Sequence, residues 1–175
     1  MTTPFVAILM GSDSDLPIMQ ATIDTLSQLQ IPCEVKITSA HRTPDATHHY
    51  VTDADRRGCA VFIAAAGLAA HLAGVVASLT IKPVIGVPMD DGPLKGQDAL
   101  LSTVMMPGGT PVATVAIGKA GAKNAAYLAA QILALSDPEL SERVKAERAA
   151  NARAVIAKDA KLQSKLGKST PFTSP

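Results

Sequence analysis

The sequence predicts an α/β protein: a three-layer, flavodoxin-like, doubly wound parallel sheet of five strands with an extended C-terminal helix. Short apolar runs such as Phe5–Met10, Ile31–Ile37 and Cys59–Ala65 recur along the chain, each of strand length. Segments with helical spacing separate them, as in Met19, Ile23, Leu26 and Leu29. The connections are short and punctuated by Gly and Pro. Strand and helix therefore alternate, and alternation dictates a parallel sheet covered on both faces.

The elements follow in order. Phe5–Met10 is a buried strand stopped by Gly11. Ser12 to Asp15 supply a helix N-cap, and Pro17 suits the first turn that follows. Pro32 restarts the chain as a second strand ending at Thr38. Thr43 can cap the next helix with Pro44 just inside it, and Gly58 is placed to end it. Cys59–Ala65 is the third and most apolar strand. Gly67–Leu79 reads as a short Ala-rich helix packing Leu72, Val75, Val76 and Leu79. Pro83–Val87 is strand four, followed by the loop Pro88–Lys95 and a short helix around Asp98–Val104. Strand five is Pro111–Ile117, and the helix Lys119–Ala134 follows it. Ser136-Asp137-Pro138-Glu139 matches a capping box. It opens a last helix, about 137–166, charged and sparsely apolar, which is expected to pack on a neighbouring subunit. Residues 1–168 are read as a single domain and 169–175 as a disordered tail.

Composition narrows the function. Apolar residues make up 47% of the 175, charged residues only 18% and aromatics 3%. A chain with so little polar surface buries part of its exterior against copies of itself, so a homo-oligomer is expected. A net charge of +1 without a basic stripe disfavours nucleic acid as partner. The longest apolar run, Cys59–Ala66, is far short of the ~20 residues that span a membrane. Met1–Phe5 has neither a charged region nor a cleavage site, so a cytoplasmic protein with reduced Cys33 and Cys59 is expected.

Chemistry concentrates in loops at the carboxyl ends of strands, where α/β sheets bind ligands. Gly11-Ser12-Asp13-Ser14-Asp15 offers hydroxyls, free amides and a helix N-terminus, the ingredients of an anion site. Its carboxylates repel phosphate, so one of them is better placed to accept ribose hydroxyls. Ser39-Ala40-His41-Arg42-Thr43-Pro44 sets an imidazole, which ordinarily titrates near neutrality, beside a guanidinium with the fork geometry for phosphate or carboxylate. His41 is thus a candidate general acid/base. His71 lies in a third loop, Gly67-Leu68-Ala69-Ala70-His71-Leu72, readable either as tight packing or as a narrow pocket of methyl groups and amides. His48 and His49 fall inside a helix and read as solvated or interface residues. Other readings fail on particular residues. There is no Gly-x-Gly-x-x-Gly and no phosphate-loop lysine motif. A receiver-type phosphorylation site needs a carboxylate where strand three ends in Ala64-Ala65-Ala66-Gly67, and no aromatic sits in the loops to stack on a flavin.

Taken together, these loops resemble the 5-(carboxyamino)imidazole ribonucleotide mutase family of de novo purine synthesis. The resemblance rests on Met10–Asp15, Ser39–Pro44, Ala69–Leu72, Pro83–Pro88, Leu100–Ser102 and Pro111–Gly118, in order and in register. A second branch of that family carboxylates aminoimidazole ribonucleotide directly, with Lys after the loop His and no Ala-Ala-His-Leu. Arg42 and His71 place this chain with the mutases. The family usually carries Gly where Ala65 and Leu68 stand, Pro where Ala73 stands and Gln where Met105 stands.

The resemblance implies that a ribonucleotide is bound by Ser12 and Arg42 at its phosphate and by Asp15 at its ribose. His41 would be the sole acid/base, with His71 lining the pocket beside the imidazole. Gly11, Ser14, Ser39, Ala40, Ala66, Gly67, Ala70 and Leu72 would complete the wall. It also implies an octamer with sites at subunit junctions, working without metal or cofactor. Moving a carboxyl group between nitrogen and carbon can pass through free carbon dioxide, which favours a small dry cavity. Ala40, Ala66, Ala69 and Ala70 are expected to supply it. The alternatives are a direct aminoimidazole ribonucleotide carboxylase or related nucleotide carboxylase on the same fold, and a non-enzymatic nucleotide-binding module.

Overall fold

The structure, a computed structural model, describes residues 4–167, so the tail expected over 169–175 lies outside the described residues. The chain divides into two compact units, one ending at Leu133 and one starting at Ala134.

The first unit is an α/β fold. Its strands are β1 (Phe5–Met10), β2 (Cys33–Ile37), β3 (Cys59–Ala66), β4 (Val84–Pro88) and β5 (Ala113–Thr114), and its helices α1 (Leu16–Gln28), α2 (Pro44–Arg56), α3 (Leu72–Leu79), α4 (Gln97–Val104) and α5 (Gly118–Leu133). The strands form one sheet in the order β2-β1-β3-β4-β5. Every pairing is parallel. This is the doubly wound, flavodoxin-like sheet that the alternation of elements predicts.

Burial explains the order. All six residues of β1 are buried, and β3 is buried along most of its length, which is the environment of central strands. Alternate side chains serve opposite faces. Phe5, Ala7, Leu9, Phe62 and Ala64 join a core with Val51 and Ala54 of α2 and Leu72, Ala73 and Val76 of α3. Val6, Ile8 and Met10 point the other way, to the side covered by α1 and α5. Fully burying each Val, Leu, Ile or Phe stabilises by roughly 1.5–3 kcal/mol, so each such residue in the central strands adds substantially to the fold's driving force. β2, at the edge, leaves Val35 and Ile37 exposed.

Two local readings change. Strand five is only Ala113–Thr114 rather than Pro111–Ile117. It is an edge strand, and Pro111 has no N–H to give a ladder. The helix expected over Gly67–Leu79 starts at Leu72, because Leu68 adopts a left-handed φ of 56° that no helix accommodates. Residues 67–71 are therefore free to form a wall rather than a helical turn.

The second unit contains α6 (Pro138–Lys165). Its N-cap is Asp137, whose side chain accepts the Leu140 N–H at 2.9 Å, so the cap falls one residue after the Ser136 of the sequence motif. Among the described residues, no helix is long and apolar enough to cross a membrane.

Candidate active site

The chain leaves β1 for α1 on one face and β2 for α2 on the other, which opens a crevice between the carboxyl ends of β1 and β3. A cavity of about 490 Å³ occupies it. Three loops supply the wall: Gly11, Ser12, Ser14 and Asp15 after β1; Ser39, Ala40, His41 and Arg42 after β2; and Ala66, Gly67, Leu68, Ala69, His71 and Leu72 after β3. The loops that sequence reasoning singled out separately thus make one site.

The first loop is tied by reciprocal capping. Ser12 Oγ accepts the Ser14 N–H at 3.2 Å, while Asp15 Oδ2 accepts the Ser12 N–H at 3.2 Å. The Ser14 hydroxyl donates to Ser12 Oγ at 2.9 Å and the Ser12 hydroxyl to Asp13 Oδ1 at 3.1 Å, which gathers the hydroxyls at the cavity edge. Asp15 is almost fully buried, and its carboxyl is pushed up to about 6. Burial is the main cause, opposed by the N–H groups of Ser12 and Gly11 and reinforced by the negative charges of Asp91 and Asp13.

That shift gives a stability prediction. The folded state holds the Asp15 proton more tightly than the unfolded chain, whose ordinary value is 3.8. The stability contribution is complete below the unfolded value and is lost as pH rises through the folded one. Asp15→Asn, which stays neutral, should therefore gain on wild type by on the order of 2 kcal/mol between about pH 4.5 and neutrality. Denaturant unfolding of both proteins at the two pH values measures this. A constant difference would refute it.

The second loop is built on buried threonines. Thr38 and Thr47 share a hydrogen bond of 2.7 Å beneath it. Thr43 does not cap α2 through its side chain; its hydroxyl oxygen accepts the Ser39 N–H at 2.9 Å. Ser39 Oγ in turn accepts the Arg42 N–H at 3.2 Å. These contacts close the turn and send both following side chains into the cavity. Arg42 Nη2 donates to the Gly11 carbonyl at 2.9 Å, which joins the second loop to the first and leaves the rest of the guanidinium available for an anion.

His41 Nε2 and His71 Nδ1 are 2.7 Å apart, with the rings edge-to-face at 80° and centroids 4.8 Å apart. One hydrogen lies between the nitrogens, so His71 fixes the plane in which His41 can act. His71 occupies the N-cap position of α3, which the left-handed Leu68 puts there.

The structure places Ala40, Ala66 and Ala69 on the cavity wall, as expected, but not Ala70. Ala70 is buried behind that wall, and its N–H donates to Ser102 Oγ of α4 at 2.9 Å. Sequence reasoning also passed over Asp91, which lines the site from the β4–α4 loop. The available signal was its position: Asp90-Asp91 follows a strand's carboxyl end, as the other site loops do.

The family described as AIR carboxylase matches residues 5–154. The N5-carboxyaminoimidazole ribonucleotide mutase of Mycobacterium tuberculosis is 51% identical over 167 residues, 95% of this chain and 95% of that protein. The protein of the same name from Thermotoga maritima is 51% identical over 160 residues, covering 91% and 92%. Among solved structures, Treponema denticola PurE superposes with a TM-score of 0.83 at 32% identity, over 91% of this chain and 99% of that one.

Proposed function

The chain belongs to the AIR carboxylase family, and we propose that its joined loops bind the nucleotide while His41 moves the proton. The activity is that of an isomerase of purine biosynthesis, an N5-carboxyaminoimidazole ribonucleotide mutase. The observation that carries the site assignment is the convergence of Arg42, Asp15 and the paired imidazoles on one cavity.

The roles follow from the chemistry of each group. Arg42 and Ser12 hold the phosphate, and Asp15 accepts ribose hydroxyls once ionised. The reaction moves a carboxyl group from the exocyclic amine to a neighbouring ring carbon. His41 donates a proton to the amine nitrogen as the carbon–nitrogen bond breaks and carbon dioxide leaves. The ring carbon then attacks the carbon dioxide, and the proton displaced from that carbon returns to His41. No proton is gained or lost overall, so one residue can serve both halves. His71 is a positioning residue for this step, because its nitrogen holds the His41 ring.

Carbon dioxide must be recaptured before it escapes, which assigns the methyl wall of Ala40, Ala66 and Ala69 the task of keeping water and the gas apart. Ala69→Ser puts a hydroxyl on that wall. It should increase release of free aminoimidazole ribonucleotide per turnover, and an unchanged ratio of product to released intermediate would remove this role. The parent activity is tested by ultraviolet absorbance on 5-carboxyaminoimidazole ribonucleotide without ATP or added bicarbonate. Conversion supports the mutase. Activity confined to aminoimidazole ribonucleotide plus bicarbonate would move the assignment to the direct carboxylase.

We further infer a homo-octamer working in the cytoplasm, with residues 1–168 as one domain and α6 packed on a neighbouring subunit. Exposed Ile81, Leu101, Met105, Val155 and Ile156 support the assembly, and the free thiols of Cys33 and Cys59 suit a reducing compartment.

A further inference from the structure

We propose that Asp91 is a substrate-binding residue of this site, whose carboxylate accepts a hydrogen bond from the exocyclic amine of the nucleotide's base and excludes the substrate's anionic groups from that wall. The inference rests on the nucleotide reading above.

The position is built. Met89 N–H donates to the Ala66 carbonyl at 2.9 Å, which clips the start of the β4–α4 loop to the end of β3. At Gly96, where φ is +82°, an added Cβ would lie 2.8 Å from the Met89 oxygen and 3.2 Å from Asp90 Cα, so the two ends of this loop are in direct backbone contact. The Asp90 carboxylate points away from the cavity and lies against Gly118, its oxygens 3.3 and 3.5 Å from where a Cβ would stand. Its neighbour Asp91 consequently turns inward, over Gly67, with Cβ 3.5 Å and Oδ2 3.7 Å from that glycine's notional Cβ. Leu68 closes the arrangement. Its Cδ2 is 2.7 Å from the Cβ that Gly92 lacks, so the loop after β3 packs directly on the residue following Asp91. The same left-handed turn that shapes the wall at Leu68 therefore also seats the loop that carries Asp91.

The chemistry selects the ligand atom. Among the described residues, the Asp91 carboxylate forms no hydrogen bond and no ion pair, although it lines the cavity. The other charged or ionisable groups at the site are Arg42, His41, His71 and Asp15, with Asp13 acting on Asp15 from outside. A carboxylate repels phosphate and the migrating carboxyl group alike, so only a hydrogen-bond donor is stabilised against it. An aminoimidazole ribonucleotide has donors in two places, the ribose hydroxyls and the exocyclic amine. Asp15 takes the first, which leaves the amine for Asp91; in the carboxyamino substrate that nitrogen keeps one hydrogen, which Asp91 accepts with the carboxyl group turned to the far side. A carboxylate on the amine also fixes which edge of the ring faces His41. Asp91 has a second effect, since its charge helps raise the proton affinity of Asp15.

The test compares wild type, Asp91→Ala and Asp91→Asn in two assays: steady-state kinetics across pH, and calorimetric binding of aminoimidazole ribonucleotide and of the imidazole ribonucleotide lacking the amine. Asp91→Ala should raise KM and the Kd for the amine-bearing nucleotide about tenfold, the loss expected for one charge-assisted hydrogen bond. The nucleotide without the amine should bind wild type and Asp91→Ala alike. Asp91→Asn keeps an acceptor oxygen and nearly the same shape. It should retain affinity within a few fold while the acid limb of kcat/KM moves to lower pH, because Asp15 loses a like charge. Equal weakening of both nucleotides, or an unchanged KM with an unmoved acid limb, would overturn the proposal. Failure of wild type to convert the carboxyamino nucleotide would instead strike the activity, since the binding comparison does not depend on turnover.

Discussion

Replacing His41 with Asn is expected to lower kcat by at least 10²–10⁴-fold, the usual worth of a positioned acid/base, while nucleotide affinity stays nearly unchanged. Asn stays polar but is shorter, so its amide ends short of the place of His41 Nε2, the nitrogen 2.7 Å from His71 Nδ1. It cannot carry a proton. Both half-reactions need that proton, so both fail together, and neither release of carbon dioxide nor its recapture should persist. The companion variant His71→Ala, which removes the nitrogen 2.7 Å from His41 Nε2, separates acting from positioning. It leaves the His41 imidazole intact but unsupported, and the loss should be smaller. Rate measurements on the two variants, with aminoimidazole ribonucleotide binding as control, decide the point. Equal losses would mean the pair works as one unit, and a larger loss at His71 would reverse the roles.

The largest effect on stability is expected at Gly121→Ala. A Cβ at Gly121 would stand 1.6 Å from the Ala116 carbonyl oxygen and 2.6 Å from its carbon. Both atoms are main chain, so no side chain can rotate away. Relief requires moving α5 off the segment that leads into it, and α5 is the helix packed on α1 across one face of the sheet. Overpacking a core ordinarily costs about 1–3 kcal/mol through side-chain adjustment, and a backbone clash should exceed about 3 kcal/mol. That is a large share of a typical total of about 5–15 kcal/mol. Gly108 is the control: nothing lies within 4 Å of its notional Cβ. Gly108→Ala should fall within about 0.5 kcal/mol of wild type. A Gly121→Ala protein with the wild-type denaturation midpoint would refute the packing argument.

The contrast between these glycines shows where sequence reading ends. Gly108 and Gly121 are identical letters, and only the approach of Ala116 separates them. The same holds in the third site loop. Gly67–Leu79 has good helical composition, and Leu68 carries no local sign that it will take a φ of 56°. A leucine is held there by what packs on it, including the space left by Gly92. The departure of Leu68 from the usual family glycine was legible as a difference; the left-handed backbone supplies the reason a glycine suits that place. Ala70 was misplaced for a related cause. Adjacent small residues look alike in sequence, and only the fold shows that Ala69 lines the cavity while the Ala70 main chain is bonded to Ser102 of α4. Asp91 was missed because its loop reads as a connection until Gly96 and Gly118 draw it against the sheet.

What the sequence by itself determined is the sheet and the residues that bear the chemistry. Strand and helix periodicities, Gly and Pro stops and burial of β1 and β3 are short-range or compositional, so they survive without coordinates. The loops with Ser12, Asp15, His41, Arg42 and His71 lie at strand ends, and a doubly wound sheet brings strand ends together. What only the tertiary structure decided is which of those side chains meet. The joining of Arg42 to Gly11, the 2.7 Å contact between imidazoles 30 residues apart, and the inward turn of Asp91 all depend on long-range backbone approach. Such approach is set by close packing between elements, which no local run of residues encodes.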